Sequence, residues 1–162
     1  MSQILKRDVR GKIVSLGHFA WYHNTMGYDQ EGERNVEIIE KLLNRTIDPD
    51  DLISLLNGKR IEHDTVDYPH MWEAGREYEV YEFKVNGKKY YAVKDCGWGS
   101  DWWACTVDIY NNYRDVKKAI KRFYEDIVDE IEDVKPNIVD DEIYEELEDL
   151  EAYAWRQIKS LK

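Results

Sequence analysis

Tyr81-Glu82-Phe83-Lys84-Val85-Asn86-Gly87-Lys88-Lys89-Tyr90-Tyr91-Ala92-Val93 is the stretch on which the fold turns. Asn-Gly suits the two central positions of a type I′ turn, and both flanks are rich in the aromatic and β-branched residues that fill strands. The spacing predicts a β-hairpin in which Val85 faces Lys88, Lys84 faces Lys89, Phe83 faces Tyr90, Tyr81 faces Ala92 and Val80 faces Val93. The Tyr81, Phe83, Val85 face is expected to point to the core. Downstream, Trp103, Cys105, Val107 and Ile109 alternate with Trp102, Ala104, Thr106 and Asp108, which predicts a third strand over Trp102 to Ile109. Residues 76–110 thus read as a short antiparallel meander.

Before the meander, residues 1–75 read as mainly helical. Ile4, Leu5, Val9, Ile13, Val14 and Leu16 fit a short helix or an extended segment equally, and Gly17 to Gly32 reads as loop. From Glu33, the apolar positions Val36, Ile39, Leu42 and Leu43 recur at helical spacing and stop at Asn44. Asp48-Pro49 then offers an N-cap with proline at the first helical position, Leu52, Ile53, Leu55 and Leu56 follow, and Asn57-Gly58 ends the segment. After the meander, Tyr113, Val116, Ile120, Phe123, Ile127, Ile131 and Val134 step by three and four, marking a long amphipathic helix. Pro136-Asn137 interrupts it, and Asp140 or Asp141 can cap a new start. Ile143, Leu147, Leu150, Ala154, Ile158 and Leu161 give the second stripe. A connection this short makes the two helices antiparallel neighbours. The expectation is one α+β domain over residues 1–162, with the meander packed against helices and an acidic helical hairpin over 111–162.

Charge narrows the function classes. With 34 acidic and 23 basic residues the chain carries a net −11, which disfavours direct contact with nucleic acid phosphates and favours a basic partner. The excess is local: residues 125–151 hold 14 acids and one base, Lys135, which leaves 20 acids and 22 bases for the rest of the chain. Within the first long helix, Arg114, Lys117, Lys118, Lys121 and Arg122 precede Glu125, Asp126, Asp129, Glu130, Glu132 and Asp133, an order opposed to the helix macrodipole. Acids three or four apart on an exposed helix also repel, by about 0.2–0.5 kcal/mol per pair. Folding the hairpin would gather these carboxylates at its turn.

Carboxylates one helical turn apart approach the spacing of nucleic acid phosphates. The expected function is therefore a non-enzymatic intracellular binding protein that mimics DNA and occupies a basic nucleic-acid-binding site on a partner, such as a nuclease. Small acidic proteins of phages and mobile elements directed against restriction or CRISPR nucleases share this character. The expected contact residues are Glu125, Asp126, Asp129, Glu130, Asp133, Asp140, Asp141, Glu145 and Glu148. Trp98 and Trp102 join them, because Cys96-Gly97-Trp98-Gly99-Ser100-Asp101-Trp102-Trp103 puts three indoles beside two glycines while Trp103 should turn to the core. The alternative for the acids is a solvated helix pair, and for the indoles packing beneath the helices.

Other chemistries are less well supplied. No Gly-rich phosphate loop, nucleophile elbow or paired-cysteine metal motif occurs, so no catalytic residue, cofactor or metal is assigned. His18, His23, His63, Asp64, Asp67 and His70 are the raw material for a metal-dependent hydrolase, but their spacings match no helical zinc pattern. A structural or assembly subunit is the third alternative. Cys96 and Cys105, the only cysteines, are too few for a disulfide scaffold and are expected as reduced thiols, with one bridge between them left open. Without an apolar stretch long enough for a signal peptide or a membrane span, a cytoplasmic protein is expected.

Overall fold

The computed structural model describes residues 5–24, 29–69 and 73–161. Chain order is α1 (Lys6–Leu16), β1 (His18–His23), α2 (Gln30–Leu43), α3 (Pro49–Leu56), β2 (Lys59–Asp67), β3 (Glu73–Val85), β4 (Lys88–Gly99), β5 (Trp103–Tyr110), α4 (Tyr113–Val134) and α5 (Asp141–Ser160), with a 3-10 turn at Lys135–Asn137 before α5. The strands form one antiparallel sheet in the order β1-β5-β4-β3-β2. It is a mixed α+β fold with a C-terminal helix pair, as the sequence indicates, but the meander is widened by a strand on each side. Segment 1–75 supplies both edge strands: β1 occupies part of the expected Gly17–Gly32 loop, and β2 follows α3 directly.

The Asn86-Gly87 turn forms as expected, with φ of 51° and 79°, and every predicted cross-strand pair is present. The core is where the reading was too narrow. Phe83 and Val85, with Ala92, Val107 and Phe19, bury one sheet face against Val9 and Ile13 of α1, Val36 and Ile39 of α2, and Leu52 and Leu56 of α3. Tyr78, Val80 and Val93 bury the opposite face against Val116, Ile120, Phe123, Ile127 and Ile131 of α4, and Leu147 and Ala154 of α5 pack on these. The sheet is therefore the middle of three layers, since a strand covered on both faces must be apolar at odd and even positions alike.

Local chemistry sets the helix limits. Asn44 and Asn57 end α2 and α3 in the left-handed conformation that asparagine tolerates. Asp48 and Asp51 form a reciprocal capping box around Pro49. Asn112 caps α4 by accepting from Asp115 N, and Asp140 caps α5 by accepting from Glu142 N and Ile143 N. The last two helices run antiparallel, with Tyr124 meeting Tyr153 at 6.3 Å and Lys135 reaching Glu151 at 3.2 Å. No helix among the described residues is long and apolar enough to cross a membrane.

Cys96 and Cys105 face each other across β4 and β5, Cα atoms 4.2 Å apart, and are joined by a disulfide. This corrects the expectation of reduced thiols: the register alone brings the two sulfurs together. With the sulfurs bonded, cysteine usage no longer argues for a reducing compartment. The bridge closes a loop that the Gly99 N to Trp102 O hydrogen bond already tightens. For two cysteines nine residues apart we expect the C96S/C105S variant to lose about 2–3 kcal/mol in urea unfolding, whereas failure to fold would show that the bridge organises the sheet.

Candidate functional site

The acidic end of the helix pair and the tryptophan-rich end of the sheet lie together. Arg76, three residues into β3, sits at the end of the sheet that also carries Trp98, Trp102 and Trp103. Asp126 and Glu130 of α4 reach it from above, at 3.6 and 3.8 Å from the guanidinium. Asp95 of β4 accepts from Arg76 Nη2 with both oxygens, at 3.1 and 3.0 Å, and Glu73 lies 3.9 Å from Nε. The guanidinium also stacks over Phe123 at 5.0 Å. Burial opposes its charge, but Asp95, Tyr68, Glu130 and Glu73 outweigh that and hold it protonated. Burial, then the hydrogen bond and charge of Glu130, push the Glu73 carboxyl up to about 8, so this pair holds a proton at neutral pH. Burial likewise raises Asp126, against the pull of Arg76.

Two of the expected contact acids, Asp126 and Glu130, thus turn inward to serve a counter-ion from the sheet. Glu125, Asp129, Asp133, Asp140, Asp141, Glu145 and Glu148 remain exposed along the half of the pair that leads into and out of the turn. Among them Val139 is 95% exposed, at the tip of the connection. The opposite end of the pair is basic, with Arg114, Lys118, Lys121, Arg122, Arg156 and Lys159 exposed. The dipole conflict holds for α4, whose last turn has no basic residue, but α5 runs the favourable way, with Asp141 and Glu142 in its first turn and Lys159 in its last. The N-terminus of α5 therefore partly offsets the charge crowding beside it. Arg76 itself was missed by sequence reasoning. The signal was its register, because it shares a face with Tyr78 and Val80, and an arginine in an apolar series needs buried partners.

The indoles divide between the two faces. Trp98 lies within β4 rather than in a loop, and its ring covers Gly75, where a Cβ would stand 2.6 Å from it. Trp102, on the α4 side, lies over Gly97 and Gly99. Trp103 turns to the core side as expected, packing half-buried at the margin of the cluster under α1–α3, and stacks on His23. It pairs with Trp98 across the strands, next to the disulfide. These groups line a cleft of about 280 Å³ with Asp48, Pro49, Asp50, Glu77 and Lys94. Lys94 Nζ is held by Asp50 at 2.7 Å and Glu79 at 3.4 Å, and those bonds raise its affinity for the proton despite burial.

The histidines and their acids are dispersed. β1 and β2 are opposite edges of the sheet, so His18 and His23 stand about four strand spacings, roughly 19 Å, from His63 and Asp64. His18 is clamped between Asp108 at Nδ1 and Asp29, the N-cap of α2, at Nε2. The bond to Asp108 pushes its pKa up to about 9 against the cost of burial. Asp64 accepts from Tyr124 and Tyr153 at 2.5 and 2.7 Å, and Glu62 from Tyr78 and Tyr113 at 3.2 and 2.8 Å. These acids fasten β2 to the helices. His63 and Asp67 are exposed, His70 lies outside the described residues, and no group of three or more His, Cys, Asp or Glu among the described residues is arranged to hold a metal ion. Cys96 and Cys105, joined in the disulfide, offer no free thiol. Protein-family models, curated proteins and solved structures were compared with the chain, and none matches it.

Proposed function

We propose that the protein is a non-enzymatic binding protein whose acidic hairpin end docks on a basic surface of a partner protein, in the manner of a DNA mimic occupying a nucleic-acid-binding site. The observation that carries the reading is the composition of that half of the helix pair: seven of the expected contact acids, Glu125, Asp129, Asp133, Asp140, Asp141, Glu145 and Glu148, are exposed there, and Val139 in the connection is 95% exposed. Exposed charge of one sign steers association with a basic surface, and Val139, next to Asp140, offers an apolar group that can be desolvated there. A nuclease of a defence system is the partner class that an acidic inhibitor of this size fits.

The test leaves Asp126 and Glu130 intact, because they neutralise Arg76. The variant D129N/D133N/E145Q/E148Q should bind a basic partner, isolated by affinity capture and measured by calorimetry, at least tenfold more weakly than the parent protein. The gap should widen at low salt, since exposed charges are screened beyond about 8 Å at physiological ionic strength. Folding stability should be unchanged or slightly higher as repulsion between neighbouring turns is relieved. Equal affinity of variant and parent at low salt would reduce the acidic run to a solvated face.

A further inference from the structure

We propose that the cleft over the Cys96–Cys105 disulfide is a binding site for an organic cation, the guanidinium or alkylated ammonium head of a small ligand. The cleft lies on the sheet face opposite α4 and α5, is distinct from the acidic end, and at about 280 Å³ approaches the lower size of small-molecule sites, about 300 Å³.

Its floor and walls are specific. Two cross-strand pairs, Cys96 with Cys105 and Trp98 with Trp103, make an apolar bed of a disulfide between half-exposed indoles. Gly75 lets the Trp98 ring settle against β3, which fixes it where it stands. The N-terminus of α3 forms one wall, with Asp48, Pro49 and Asp50, and Glu77, directly opposite Cys96 on β3, forms another.

Charge selects the ligand's sign. Lys94 is the cation of the cleft, and Asp50 and Glu79 already bind it. Glu77 is half-buried and makes no ion pair within 4 Å with a described residue, Arg60 feeling its charge only from further away, so it is the carboxylate of the cleft open to a positive charge. An anion would find no comparable partner. At the start of α3, Asp51 N is engaged by Asp48 and Asp48 N by Asp51, and Pro49 has no N–H to offer, which leaves few amide donors for an anion. A cation laid on the indole faces gains from the ring quadrupoles and from Glu77 together, the combination by which aromatic cages recognise quaternary ammonium and guanidinium groups.

The experiment titrates the full-length protein with N-acetyl-arginine amide and with tetramethylammonium, each against the neutral isostere N-acetyl-citrulline amide, and follows the indole N–H resonances by NMR. The expected result is saturable shifts of Trp98 and Trp103 with the two cations, at least fivefold weaker binding to E77Q, and no comparable response to citrulline. Glu77 makes no hydrogen bond among the described residues, so E77Q should fold, which circular dichroism checks. Equal response to citrulline, affinity unchanged in E77Q, or shifts confined to the helical end would overturn the proposal. Since these probes report on the cleft alone, failure here leaves the acidic-end reading standing.

Discussion

Replacing Arg76 with methionine should destabilise the protein by about 3–5 kcal/mol, the usual penalty for removing one partner of a buried ion cluster. Against total stabilities of about 5–15 kcal/mol, that would leave the variant close to unfolding at room temperature. The loss arises less from the missing attraction than from what remains: Asp95, Glu73, Asp126 and Glu130 would face one another without the guanidinium between them. Two controls separate this from lost packing on Phe123. R76K keeps the charge but lacks the planar fork, and should fall between parent and R76M. Adding D126N and E130Q to R76M should recover part of the loss, because both substitutions remove charge from the same cluster. Urea midpoints within about 0.5 kcal/mol of the parent protein for R76M would show that the carboxylates neutralise themselves by taking up protons.

Stability should also decline between pH 6.5 and 9, by on the order of 2 kcal/mol after allowing for the partial solvent exposure of the clamp. The folded protein holds the His18 proton up to about 9, above the value near 6.5 of an unfolded chain. A raised pKa means that the stabilisation is complete below the unfolded value and is lost as pH rises through the folded one. Glu73, pushed up to about 8, adds a slope of the same sign over the range below that. His18→Gln keeps a side chain that can hydrogen-bond Asp29 or Asp108 but cannot carry the charge, so its urea midpoint should be lower at pH 6 and nearly level with the parent at pH 9.5. A parent profile that is flat or rises between pH 6.5 and 9 would contradict the clamp.

The central hairpin and the C-terminal helices could be read directly because each announces itself locally. Asn86-Gly87 fixes both the turn and the register, and Val116, Ile120, Phe123 and Ile127 repeat at a period only a helix has. The edge strands were hidden for a physical reason. β2 reads Lys-Arg-Ile-Glu-His-Asp-Thr-Val-Asp, and its inward positions Glu62 and Asp64 are buried by tyrosine hydroxyls that come from β3, α4 and α5, up to 89 residues away. No local pattern of apolar residues could have shown that face. In the site, the exposed acids followed from composition and helical phase. The inward turn of Asp126 and Glu130 depended on an arginine some 50 residues earlier, and the cleft on the pairing of Trp98 with Trp103, which only strand register creates.

β2 has a further consequence, for association. A strand at the margin of a sheet offers a row of unsatisfied amides that another chain can extend, and proteins that leave such a margin flat and apolar polymerise. The other margin, β1, is shielded by α2, whose Asn35 bonds the carbonyls of Leu16 and His18. Among the described residues no helix side chain bonds the backbone of β2 in this way. Instead Lys59, Arg60, Glu62, His63 and Asp64 put an ionisable group at all but one of its first six positions, and the ladder slips between Arg60 and Glu62. An incoming strand would have to desolvate the exposed Lys59, Arg60 and His63 and follow an irregular register. That combination of charge and irregular pairing should make the margin resist extension by another strand.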